Sequence, residues 1–118
     1  MNAVAFRATR EYLGLTTAWI AAQLGVNERT VRSWEQGRAR VPEGVAEQMR
    51  QWEWATDNVV DKYVGELGCT PAPVMAIART DDEVPGAWPA RWHRHVAARV
   101  ALELAGLAIG YRGEVEGR

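Results

Sequence analysis

The sequence predicts a mainly α-helical chain that closes with a small α+β segment. Three observations carry that expectation. Apolar residues recur three and four positions apart over most of the 118 residues. Glycine or proline stands at nearly every point where that rhythm breaks. Only two short runs, both after Pro73, read as strands. Apolar residues make up 47% of the chain, enough for a packed core and too many for a disordered tail.

The first helix is expected from about Asn2 to Leu13, with Val4, Phe6, Arg10 and Leu13 near helical spacing and Gly14 stopping it. Thr16 is placed to cap a short helix through Leu24, because its hydroxyl can accept from amides two or three residues on. Trp19, Ile20 and Leu24 form its inner face. Gly25 ends it, and Asn27 caps a third helix to about Gln36, with Val31 and Trp34 inward and Gly37 as its stop. Pro42 then sits at a first-turn position, where its missing N–H costs no hydrogen bond. From there Val45, Met49, Trp52, Val59, Tyr63 and Leu67 describe one long helix to about Leu67, stopped by Gly68 and Thr70-Pro71-Ala72-Pro73. Val74 to Thr80 reads as a strand, Asp81 to Gly86 as an acidic loop. A last helix begins near Pro89 and carries Trp92, Val96, Val100 and Leu104 in a strict i+4 row. Leu107 to Tyr111 is a second short strand, followed by a loose tail after Arg112. These elements divide into residues 1–68 and residues 69–118.

Charge is informative by its distribution. The net value is −1, yet Asn27 to Arg40 holds Arg29, Arg32, Arg38 and Arg40 against Glu28 and Glu35. Acidic residues gather later, at Asp81, Asp82, Glu83, Glu114 and Glu116. A local basic stripe can hold phosphates while the rest of the molecule stays acidic. No apolar run is long enough to span a bilayer, and Met1 to Ala8 lacks the pattern of a leader, so a cytoplasmic protein is expected. Cys69 stands alone and reads as a small residue near a helix end. His93 and His95, two apart on a helix, point to nearly opposite sides and suit no shared metal. Asp81-Asp82-Glu83 reads as a solvated loop. No nucleophile–base set or phosphate-cradling glycine loop is present, so neither an enzyme nor a cofactor is expected.

The sharpest signal lies between Leu15 and Arg38, where a short helix, a glycine turn and a capped, polar-faced helix follow one another. Ala21 is small where two helices cross. Gly25 permits a left-handed turn. Glu28, Arg29, Arg32 and Ser33 lie on the outer face of the second helix, free to enter a major groove. This stretch, with its closing Trp34-Glu35-Gln36-Gly37, resembles the DNA-binding domain of the Cro and phage-repressor (Xre-type) class over about residues 1 to 56. The resemblance implies a five-helix-type helix-turn-helix domain, extended here by the long helix. The order of Val41-Pro42-Glu43-Gly44-Val45, a long helix, a strand and a tryptophan-bearing helix also resembles the short autorepressors of anti-CRISPR operons. In those proteins the C-terminal part is implied to dimerise.

Carried over residue by residue, the class implies base contacts from Asn27, Glu28, Arg29, Arg32 and Ser33, and phosphate contacts from Thr17, Thr30, Arg38 and Arg40. Arg29 is the candidate for a bidentate contact to guanine, and Glu28 can accept from cytosine or orient Arg29 or Arg32. Thr17 departs from the glutamine usual at its position, which leaves a phosphate contact. Arg40 is as well explained as a solvated charge. Arg10 and Glu35 occupy interior positions of the class and are expected to pair, with a phosphate contact as the alternative for Arg10. The row Trp92, Val96, Val100, Leu104 packs either on the long helix of its own chain or on a twin, and is taken as the dimerisation seam. The strand near Val74 has few evident partners within one chain and is expected to pair across a two-fold axis. Together these features predict a homodimeric, sequence-specific regulator of transcription, a repressor of its own operon binding an inverted repeat in double-stranded DNA. The rival is an antitoxin or other protein-binding module that also binds its own promoter. Trp54 and Trp88 have no assigned role.

Overall fold

The computed structural model describes residues 1–115. Five α-helices are present: α1 (Ala3–Leu13), α2 (Thr17–Leu24), α3 (Glu28–Glu35), α4 (Glu43–Leu67) and α5 (Ala90–Glu103). Two short strands, β1 (Val74–Ile77) and β2 (Ala108–Tyr111), flank α5 in the chain, and two 3-10 turns, Asp81–Glu83 and Pro85–Ala87, precede it.

Local chemistry sets the first three helices. Asn2 Oδ1 accepts the Ala5 amide at 2.8 Å, Thr16 Oγ1 the Trp19 amide at 3.0 Å, and Asn27 Oδ1 the Arg29 amide at 2.9 Å. Gly14 closes α1 at φ 72°, and it is required a second time by packing. A Cβ there would lie 2.5 Å from the Arg91 carbonyl oxygen, so this glycine is what lets α5 approach α1. Pro42 stands one residue earlier than expected, at the cap position of α4. At the far end Gly68 keeps a right-handed helical backbone, so α4 is not closed by a left-handed glycine.

The C-terminal region departs from expectation in three ways. First, β1 pairs in parallel with β2 of the same chain, in the register Val74↔Ala108 to Ile77↔Tyr111, so it has a partner within its own chain. Parallel strands need a long crossover, and α5 lies within it. Second, β1 stops at Ile77 because the next amide, on Ala78, donates to His93 Nδ1 at 3.1 Å instead of continuing the ladder. Leu107 also falls outside its strand, its amide turning back to the Leu104 carbonyl. Third, the row assigned to dimerisation is used inside the chain. Trp92, Val96 and Val100 are buried in the core, where α5 packs on α4, α1 and β1; only Leu104 keeps partial exposure. An interface through this row would require α5 to leave the core.

That core is continuous from Phe6 in α1 to Val100 in α5. The turn around Pro71 and Pro73 is therefore a change of direction with shared packing on both sides. A polar relay fixes α5 on α4 within it: Trp92 Nε1 donates to Thr56 Oγ1 at 2.9 Å, and that hydroxyl donates to the Trp52 carbonyl at 2.7 Å. Both polar groups are thereby satisfied in a site that excludes water.

Candidate nucleic-acid interface

The α2–α3 hairpin is built by a tight turn. Ala21 is buried at the crossing, Gly25 adopts φ 67°, and the Val26 amide returns to the Ala21 carbonyl at 3.0 Å. Val31 and Trp34 hold the inner side of α3, with Trp34 edge-on to Phe6 of α1 at 5.8 Å. The opposite side of α3 is left to solvent, which is the disposition a groove-reading helix requires.

On that outer side the predicted residues do not behave alike. Glu28 Oε1 accepts from Arg32 Nη2 and from the Thr17 hydroxyl, both at 2.8 Å. Glu28 thus orients Arg32, not Arg29, and ties the first residue of α2 to the first of α3. Arg29 is exposed and takes no part in these bonds. Ser33 Oγ donates to the Thr30 carbonyl at 2.7 Å, so the half-buried hydroxyl is turned back along its own helix. Asn27 spends its carbonyl oxygen on the cap, leaving its amide group as donor. Arg38 and Arg40 are exposed beyond Gly37, on a segment folded against α3 by the Arg38 and Ala39 amides, which both reach the Ser33 carbonyl.

Arg10 and Glu35 pair across α1 and α3. Arg10 Nη2 donates to Glu35 Oε1 at 3.0 Å, Nε donates to the other carboxylate oxygen, and Nη1 reaches the Leu15 carbonyl at 3.1 Å. Their side chains are 12% and 8% exposed. Three of the five guanidinium N–H groups are engaged and the side chain is 12% exposed, so the work of Arg10 is to join α1, α3 and the start of the α2 segment.

Sequence reasoning missed how α2 is seated. Trp19 of α2 tilts against Trp52 of α4 at 5.0 Å and stacks on Trp88 at 5.3 Å; Trp88 stacks in turn on Trp92 of α5 at 4.4 Å. Trp19 Nε1 also donates to the Ala87 carbonyl at 2.9 Å. The signal available in advance was only the tryptophan count, since Trp88 sits in a loop with no periodicity. Trp54 is 69% exposed on α4, where its helical neighbours Arg50, Asp57, Asn58 and Asp61 are also exposed, and nothing in the structure explains it.

Among the described residues no group of three or more His, Cys, Asp or Glu is placed to hold a metal ion, and no helix is long and apolar enough to cross a membrane. His93 accepts from Ala78, while His95 lies edge-on to Tyr12 at 4.5 Å. Cys69 is exposed just beyond α4.

Residues 3–51, from the start of α1 into α4, match the family model of a helix-turn-helix domain. No curated protein matches the chain. The N-terminal region is thus similar to a helix-turn-helix domain, which supports DNA as a partner.

Proposed function

We propose that this chain is a cytoplasmic, sequence-specific repressor of transcription of the Cro and phage-repressor type, acting on an inverted repeat in double-stranded DNA as a homodimer. The observation that carries the reading is the outer face of α3, where exposed Arg29 stands beside an Arg32 already oriented by Glu28. Arg29 is the residue for guanine, whose two major-groove acceptors suit a guanidinium. Asn27 and Arg32 read neighbouring bases, and Glu28 and Ser33 join them only by exchanging their bonds to Arg32 and Thr17 and to Thr30. Arg38, Arg40 and Thr30 serve the phosphates, as does Thr17 once its hydroxyl leaves Glu28. The wider chain is close to neutral, so binding depends on this local stripe and falls steeply with salt.

One recognition helix covers too few base pairs to select a site in a genome. Two copies related by a two-fold axis place their helices in successive major grooves about 34–36 Å apart. With Trp92, Val96 and Val100 committed inward, the surface for pairing moves to the outer side of α5 and the sheet. Leu102 there is 87% exposed, one helical turn from Ala98. Ala98 and Ile109 line an apolar hollow of about 370 Å³ that Arg94 and Glu114 border with opposite charges. An exposed leucine one turn from such a hollow suits an isologous interface. The same patch would serve the rival reading, in which a different protein covers it.

Selection of bound sequences from random duplex DNA, with a light-scattering mass of the same protein, tests both parts. An inverted repeat and a dimer that Leu102→Glu converts to a weakly binding monomer are the expected results. A single asymmetric site bound by a monomer removes the two-fold reading. Stable co-purification of an unrelated small protein on this patch, with no dimer, favours the rival.

A further inference from the structure

A second cavity, of about 330 Å³, lies on the other side of α5, between α4 and the 3-10 turn that precedes α5. Its walls are mostly apolar, from Val59, Tyr63, Pro85 and Trp88. Two lining groups are not. One is Lys62, exposed and the only lysine in the chain. The other is His93, 2% exposed.

The protonation of His93 follows from its neighbour. The Ala78 amide can only donate, so Nδ1, 3.1 Å away, must accept, and the neutral ring carries its hydrogen on Nε2. Burial, and then the charge of Arg112, lower the pKa of the imidazole and hold it neutral. Nε2 is buried and has no acceptor among the described residues. A buried N–H donor without a partner is costly, and an acceptor brought by a ligand would relieve it.

The electrostatics of the walls have the same sign. Trp88 is stacked on Trp19 and on Trp92, and its indole edge lies beside Gly86, which also lines the cavity; the edge of an aromatic ring is electropositive. The nearby acidic turn stays ionised, the Thr80 hydroxyl holding the Asp82 carboxyl below its usual range, but none of its three carboxylates lines the cavity. We infer that this cavity is a binding site for a small organic carboxylate with a flat apolar body, the body against Val59, Tyr63 and Pro85 and the carboxylate between Lys62 and His93 Nε2. Its volume falls at the small end of the range for ligand pockets, which fits a one- or two-ring acid. An occupant would touch Trp88, the middle of the stack that seats α2.

Calorimetric titration of the full chain with benzoate tests the site without DNA, so its outcome is independent of the proposed repressor function. Saturable binding of one benzoate per chain is expected, at least about tenfold tighter than benzyl alcohol or inorganic phosphate. Lys62→Met, at an exposed position, should weaken benzoate by about tenfold while the protein stays folded. Val59→Phe should abolish binding by filling the cavity, and its melting curve reports whether the fold survives. No binding at millimolar benzoate overturns the inference. So does phosphate binding as well as benzoate, or a Lys62→Met protein that binds benzoate unchanged.

Discussion

The two ends of this molecule are held by different kinds of interaction. In α1 to α3 each helix carries its own cap, the turns are made by neighbours in sequence, and the mostly buried Arg10–Glu35 ion pair ties α1 to α3. From Pro71 onward almost every fixing contact is distant in sequence. β1 finds β2 across α5, Trp88 finds Trp19, and His93 ends β1 by taking the Ala78 amide. The first region can be read residue by residue. The second exists only as a packed whole. Yet Trp19 and Gly14 belong to the first region and are seated by the second, so the helix-turn-helix surface is held from behind by the C-terminal segment.

The largest expected effect is in the first region. Glu35→Ala leaves a mostly buried guanidinium without its counter-charge and should cost about 3 kcal/mol or more. Arg10→Met combined with Glu35→Leu should recover most of that loss. Thermal melts of the four proteins decide the point: additive single effects would mean that the pair is not coupled.

Trp88→Ala sharpens the comparison from the other side. It removes the centre of the tryptophan stack from a half-buried position, with an expected cost of about 2 kcal/mol, below that of a fully buried tryptophan. Hydrogen exchange should show faster opening of α2 as well as of α5. Loss of protection confined to α5 would mean that the stack does not seat α2.

Acid should act on the second region alone, and more weakly. Both histidines lie on α5, and burial lowers the pKa of each below its ordinary value; Arg99 adds to the effect at His95, partly offset by Asp57. The unfolded chain therefore binds more protons than the folded one, so stability is lost as pH falls through about 6.5, the unfolded histidine value. Melting temperature should fall between neutral pH and pH ~5.5, and the double variant His93→Gln, His95→Gln should flatten that slope. An unchanged slope assigns the acid loss to other groups.

The same contrast governs what the sequence discloses. Boundaries of α1 to α3 lie within a residue of those expected, because Asn2, Thr16, Asn27 and the glycines act over one turn. The polar face of α3 is equally legible, although the bond from Glu28 to Thr17 is not, since it joins two helices. In α5 the row Trp92, Val96, Val100 is recognisable as buried, but periodicity does not say against what. The strand at Val74 had a candidate partner in the chain, and only the crossover geometry makes the pairing. Trp88, in a loop with distant stacking partners, carries no local pattern at all.

The central claim, that α3 reads DNA through its exposed arginine, is tested most directly by equilibrium binding of Arg29→Ala and Arg38→Ala to the selected operator and to variants of it. Arg29→Ala should stay folded and lose about 1–3 kcal/mol of discrimination at one base pair per half-site. Arg38→Ala should weaken all sequences alike and flatten the salt dependence. A folded Arg29→Ala protein that binds the operator with unchanged affinity and selectivity would contradict the assignment of α3 as the recognition helix.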